Sequence, residues 1–197
     1  MGKGWHVRLT SRGSVHVVKE QDQLNSCGVA CVSMVNYKMK KGWVAAGVAA
    51  DAAFSAAVPI FGSFIGAELM REAVDYAIRS EPEIYKVYGE VLGRVYDGNV
   101  TTDILDMPDV LKRLNCGDWE AQKVPANDVA NYIASATSRG APVIAGVEWP
   151  GGIGHAVVVD SVMNPGKSLF VCDPGDGEVH VTDYAEATRI TYRRVGF

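Results

Sequence analysis

The chain has 197 residues, 48% of them hydrophobic, and a net charge of −4 from 19 Lys plus Arg against 23 Asp plus Glu. A chain of this length buries a real core without disulfides or metal, and the composition excludes a disordered or collagen-like protein. The acidic balance argues against a protein whose main task is to grip nucleic acid.

In chain order, WHVRL and SVHVV alternate at period two around SRG and predict a hairpin over the first twenty residues. The opening MGKGWHVRLT has no apolar core of a Sec signal peptide. The expected location is the cytoplasm, or export by a route that needs no cleaved signal. Asn25 or Ser26 can cap a helix that runs through CGVACVSMVNYKM and stops near Lys41-Gly42. Two alanine-rich helical segments follow, at about 44–57 and 66–79. Between Ala52 and Ala67 no residue is charged, but Ser55, Pro59, Gly62, Ser63 and Gly66 interrupt the run. It is shorter than the about 20 apolar residues a spanning helix needs, so it reads as buried helix, break, second helix, and no membrane partner is expected.

Residues 81–107 carry no clear period. Pro108 then opens a short helix, PDVLKRLN, that ends at Cys116-Gly117, and DVANYIASATSR predicts another, ended by Gly140. After Gly140 the period changes. APVIAGVEW, HAVVVDSVM, SLFVCD and EVHVT are strand-like runs separated by PGGIG, NPGK and PGDG, which are turn chemistry. Short spacers imply an antiparallel meander, and ITYRRV adds a last strand. Helices first and sheet last is an α+β pattern. The expected organisation is one domain over residues 1–197, with an alanine-rich helical elaboration at about 42–107.

The four cysteines, Cys27, Cys31, Cys116 and Cys172, are too few for a disulfide scaffold, and CxxxC is not a zinc spacing. No metal and no cofactor is expected. Cys27 sits at the predicted start of a helix, where unpaired amides and the helix dipole favour thiolate, the nucleophilic form. Gly28 leaves space beside the sulfur for a substrate carbonyl. Cys31, one turn on, reads as core. Of the four histidines, His155 is the best imidazole partner, because it follows a glycine loop and opens a strand. The hairpin brings Asp173, at the end of the next strand, near His155, where a carboxylate orients the ring and stabilises its charged form. Acyl transfer also needs oxyanion donors. The Cys27 amide is one, and the side chains of Gln21 and Gln23, six and four residues upstream, are both available as the second.

QDQLNSCGVAC, GHAVVVD and VCDPGDG together resemble the papain-like cysteine peptidases, and most nearly the bacterial branch that removes double-glycine leaders from bacteriocins. The motifs cover residues 20–40 and 108–180. The resemblance implies a papain-like fold with its N-terminal helical part packed on an antiparallel sheet. It also implies roles: Cys27 as nucleophile, His155 as general base and acid, Asp173 as orienter of the imidazole, and Gln21 as oxyanion donor. No transporter or ATPase segment follows, so a stand-alone enzyme acting on a peptide or protein is expected. Two other readings use the same residues: a glutamine deamidase or transglutaminase-type effector, and a peptide-binding module without turnover.

The remaining candidates read more simply. His180 is a solvent-facing strand residue with no carboxylate-bearing neighbour strand evident, and His6 and His16 are a cross-strand pair or surface residues. Cys116 at a helix C-terminus is a poor nucleophile, and Cys172, alternating with Asp173, faces the core. Trp149 either lines a cleft or caps the core. Gly151, Gly152 and Gly154 form a turn or a movable loop, not a phosphate loop.

Overall fold

The alternating residues at the start of the chain form an antiparallel hairpin, β1 (Trp5–Leu9) and β2 (Val15–Lys19), with Val7 opposite Val17. The computed structural model describes residues 4–10, 15–40, 81–93, 95, 100–125, 128–137, 141–149, 153–163, 168–182 and 187–193. The two alanine-rich segments and the uncharged run between them lie outside the described residues.

Helix α1 (Cys27–Lys40) begins and ends where the sequence predicts. It is buried almost all round, and Val29, Ala30, Cys31, Val32, Met34 and Val35 have no more than 1% exposure. A helix apolar on every side belongs in the middle of a protein. Helix α2 (Glu81–Leu92) occupies the stretch without clear period. Its core face is Ile84, Val87 and Tyr88, a helical spacing that Pro82, Gly89 and the two tyrosines disguise. A single 3₁₀ turn, Ile104–Asp106, with the Asp103 carboxylate accepting from the Leu105 amide, leads into α3 (Met107–Arg113). Pro108 sits in the first turn of α3 as expected. The chain leaves it through Asn115 and Gly117, both at positive φ (59° and 96°), the conformation a helix exit uses.

β3 (Trp119–Lys123), α4 (Val129–Thr137), β4 (Val143–Trp149), β5 (Ile153–Met163), β6 (Ser168–Asp173), β7 (Glu178–Thr182) and β8 (Ala187–Arg193) complete the described elements. The meander β4-β5-β6-β7 forms as the short spacers require. The sheet order, however, is β3-β8-β4-β5-β6-β7, antiparallel at every pair. The last strand thus does not extend the meander beyond β7. It returns to the open side of β4 and pairs Ala145 with Ile190, and β3 closes the far edge. β3 carries WEAQK, of which only Trp119 is buried, so an edge strand leaves little apolar signal.

Alternation along the strands builds two cores, one on each face of the sheet. Ile144, Ala156, Val158 and Cys172 point to α1, α2 and α3. Val143, Ala145, Val157, Val159, Leu169 and Val171 point to Ile133 and Ala136 of α4. Among the described residues no helix is long and apolar enough to cross a membrane.

Candidate active site

Cys27 is the first residue of α1. Ser26 precedes it, but its hydroxyl does not cap the helix. It donates to the Gln23 carbonyl (3.0 Å) and accepts from the Gln23 amide (3.0 Å), closing the turn before the helix. The Ser26 carbonyl takes the first helical bond, from Ala30 N (2.9 Å). The side chain is therefore withdrawn from the first-turn amides, and the Cys27 sulfur takes its place beside the Gly28 amide.

His155 stands on β5 opposite Val147, two residues inside the strand rather than at its mouth. Its Nε2 lies 2.7 Å from Asp173 Oδ1 at the end of β6. The Cys27 thiol is a hydrogen-bond partner of the same imidazole. Because Asp173 engages Nε2, Nδ1 is the ring nitrogen left to face the sulfur. Cys27, His155 and Asp173 thus form one hydrogen-bonded line from a helix terminus to a strand end.

Electrostatics follow from the line. Burial alone pushes the Cys27 thiol up, but bonds from His155 and from the Ala156 and Gly28 amides, with the imidazole charge, bring it below its ordinary value. Burial pulls His155 down, yet its bonds to Asp173 and Cys27 raise it from 6.5 to about 9. Burial raises Asp173 as well, and its bonds to His155 and the Gly175 amide turn the net shift downward. All three directions favour thiolate, imidazolium and carboxylate together.

The turn after β6 supports the acid. Gly175 N donates to Asp173 Oδ1 at 2.6 Å, and a Cβ at Gly175 would lie 3.0 Å from that oxygen. Gly177, at φ +70°, closes the turn by donating to the Asp173 carbonyl (3.0 Å). Its own carbonyl accepts from Arg8 Nε (2.8 Å), which ties the turn to the first hairpin.

Gln21 is buried and Gln23 is exposed. The Gln21 amide accepts nothing at its buried Oε1 among the described residues, and its Nε2 donates to the carbonyls of Gln23 (2.8 Å) and Leu24 (3.0 Å). The Gln21 backbone N donates to Pro174 O (2.8 Å), so the residue abuts the Asp173 turn while both of its side-chain donors face its own loop. The open space expected at Gly28 is occupied. A Cβ there would lie 1.9 Å from Thr102 Oγ1 and 2.8 Å from Met107 Cε, so the glycine is needed for packing beneath the helix start.

Other candidates fall elsewhere. Cys31 is fully buried in the core and Cys116 is buried, its sulfur 3.5 Å from Asn36 Oδ1. His180 is exposed as expected, and its Nε2 lies 2.7 Å from Asp176 Oδ2 in the turn that precedes its own strand. His6 pairs with Glu20 (3.1 Å). His16 is not a surface residue: it is 5% exposed, 2.9 Å from Asp160 Oδ2, and stacked on Phe170. Asp160 is also the partner of buried Lys38, and Cys172 donates its thiol to Asp160 (3.2 Å). His16, Asp160 and Cys172 are close enough to share a metal, as are Asp173, Asp176 and His180. The Lys38 ammonium already supplies the positive charge in the first group, and in the second Asp173 is paired with His155 and Asp176 with His180. The side chain of Trp149 and residues Gly151 and Gly152 lie outside the described residues, and Gly154 is exposed.

Sequence reasoning missed Glu81. It is 1% exposed, at the start of α2, and its Oε1 accepts from the Asp22 amide (3.0 Å). A lone glutamate ahead of a proline carries no local signal for burial.

No protein-family model matches the chain. No curated protein matches it either. Among solved structures it is similar to the peptidase domain of Streptococcus ComA, a bi-functional ABC transporter involved in a quorum-sensing pathway. The TM-score is 0.52 at 14% identity, over 90% of this chain and 98% of that one. The likeness assigns the fold: α+β, papain-like, helices against an antiparallel sheet.

Proposed function

We propose that the chain is a cysteine peptidase that cleaves peptide bonds through Cys27, His155, Asp173 and an acyl-enzyme. One observation carries the reading: Cys27 at a helix N-terminus shares the His155 imidazole with Asp173. The papain-like fold supports it, because acyl transfer by a thiolate is the chemistry this line of groups is suited to. The thiolate attacks the carbonyl carbon and a C–S bond forms. The His155 imidazolium gives its proton to the leaving amine as the C–N bond breaks. Water, deprotonated by the neutral imidazole, then hydrolyses the thioester and restores the pair.

The oxyanion forms between the Cys27 amide and Gln21. One Nε2–H of Gln21 must turn from a loop carbonyl to the oxyanion, and a charge-assisted bond outweighs the neutral one it replaces. The catalytic unit spans residues 1–197, with the 42–107 segment as an elaboration. The substrate is a peptide or protein, and the motif resemblance makes a double-glycine leader the first to try.

The test is alkylation by iodoacetamide at about pH 5.5, where an ordinary thiol, pKa about 8.5, is nearly inert. Mass spectrometry identifies the labelled residue. Rapid labelling confined to Cys27 and abolished by His155→Ala is expected. Uniformly slow labelling of the folded protein removes the preformed ion pair and with it the peptidase reading.

A further inference from the structure

The turn that carries Gln21 is held from both sides. On one side Gln21 N donates to Pro174 O (2.8 Å), in the turn that follows Asp173. On the other, Asp22 N donates to Glu81 Oε1 (3.0 Å). Glu81 is 1% exposed, and burial pushes its carboxyl up against the opposing pull of the Asp22 amide, the Ser26 hydroxyl and Lys19. Lys19, itself buried, reaches Glu81 Oε1 at 3.7 Å and donates to Asp22 Oδ1 (2.7 Å) and the Glu20 carbonyl (2.6 Å). Residues 19–22 therefore wrap around a buried carboxylate supplied by a different helix. A charged group is costly to bury and stays only when its surroundings satisfy it. Here the backbone of the residue next to Gln21 satisfies Oε1, whereas Oε2 is buried with no hydrogen-bond partner among the described residues, so the Asp22 amide is the contact that ties the carboxyl to the turn.

We propose that Glu81 is a positioning residue for acyl transfer: through the Asp22 amide, and with Lys19, it fixes the backbone from which the Gln21 amide reaches the oxyanion of a Cys27 adduct. The inference rests on the peptidase reading above. Its physical content is that the Gln21 side chain must exchange one donor bond during the reaction while its backbone stays still. The Pro174 carbonyl and Glu81 are the two groups that hold that backbone. Misplacement of a catalytic group by about 1 Å costs up to about a hundredfold in rate. Alkylation by iodoacetamide involves no oxyanion and needs only the thiolate.

The test compares two reactions of one sulfur in the full-length chain. With iodoacetamide, Cys27 displaces iodide and forms a C–S bond directly. With p-nitrophenyl acetate, the thiolate adds to the carbonyl, an oxyanion forms, and nitrophenolate leaves as the thioester forms. Cys27→Ala sets the background for both. Glu81→Met keeps the buried volume and removes the acceptor, whereas Glu81→Gln keeps an acceptor for Asp22 N. We expect Glu81→Met to slow acylation about tenfold or more and to leave iodoacetamide labelling of Cys27 within about twofold of the unsubstituted protein. We expect Glu81→Gln to restore most of the acylation rate. A parallel fall in both reactions makes Glu81 merely structural and overturns the proposal, as does no change in either. Should Glu81→Met not fold, as judged by circular dichroism, Lys19→Met removes the ammonium from the same cluster and must show the same split, and equal effects on both reactions overturn the proposal. Absence of selective Cys27 labelling in the unsubstituted protein is a different failure. It defeats the peptidase reading itself, and the positioning role falls with it.

Discussion

The lowered Cys27 thiol and the raised His155 imidazole favour the proton on the ring over the proton on the sulfur, and pH dependence follows from that. Two opposite linkages meet at this pair. His155, raised from 6.5 to about 9, contributes stability that is full below about 6.5 and lost as pH rises through about 9. Cys27, lowered, contributes stability that is full above its ordinary value of 9.0 and lost as pH falls through the lowered one. Where both act, the slopes cancel, because folded and unfolded chains bind the same number of protons and differ only in which atom holds one. Cys27→Ala removes one slope and leaves the part of the other that Asp173 supplies. Its melting temperature is therefore expected to decline as pH rises above about 7, where that of the unsubstituted protein is flat by this pair's contribution. Thermal unfolding at several pH values reads this, and parallel curves would mean that the pair is not charged. Turnover behaves differently from labelling. Above about 9 the imidazolium proton that the leaving amine needs is gone while the thiolate persists, so peptide cleavage falls and alkylation does not.

At the scale of elements, the start of α1 is shaped by what lies under it. A Cβ on Gly28 would overlap Thr102 Oγ1 (1.9 Å) and press on Met107 Cε (2.8 Å). Gly28→Ala is therefore expected to destabilise the protein by about 1–3 kcal/mol, as overpacking does. It should also slow Cys27 labelling, because the first helical turn must move off the 3₁₀–α3 segment. Thr102→Ala in the same chain removes the nearer obstacle, so the double variant should regain part of both losses in urea unfolding and in labelling. Additive losses would show that the two do not meet. The same helix marks how far the sequence could be read. Its start at Cys27 was legible because turn residues, small residues and an apolar run coincide within ten positions. His155 and Asp173 were legible because glycine loops bound their strands, and the β4–β7 meander followed from its spacers. What Gly28 packs against was not, since Thr102 and Met107 lie over seventy positions away in the chain. Nor was the role of Ser26, which has the composition of a helix cap but closes the preceding turn. α2 and β3 were hidden by composition. α2 shows its stripe through two tyrosines and a glycine, and β3 is an edge strand with one buried side chain. The position of β8 was hidden by topology, because which edge a last strand joins is decided by which edge is open.

Across the whole molecule, a second charged cluster ties together the elements that hold the site. β5 carries His155 and also Asp160, which falls where the register with β6 shifts between Val159 and Ser161. A bulge of this kind re-aims a side chain, and Asp160 meets Lys38 from the far end of α1, His16 from β2, and Cys172 beside Asp173. Burial works against the Asp160 charge, and Lys38 and His16 overcome it, holding the carboxyl well below its usual range. Burial likewise works against Lys38, and Asp160 keeps the ammonium charged. The helix of Cys27, the strand of His155 and the strand of Asp173 are thereby joined a second time, through Lys38, Asp160 and Cys172. No local pattern announces this, for the lysine lies in a helix that also buries Ser33 and Asn36 and the aspartate in a β-branched strand. A buried pair of this kind costs about 3–5 kcal/mol when one partner alone is removed, because the other charge is left in the interior. Removing both costs far less. Lys38→Met is accordingly expected to lower stability in urea by several kcal/mol, and Lys38→Met with Asp160→Leu to recover most of the loss. If the double variant is as unstable as the sum of its parts, the pair does not couple the helix to the sheet, and the alignment of Cys27 with His155 rests on apolar packing alone.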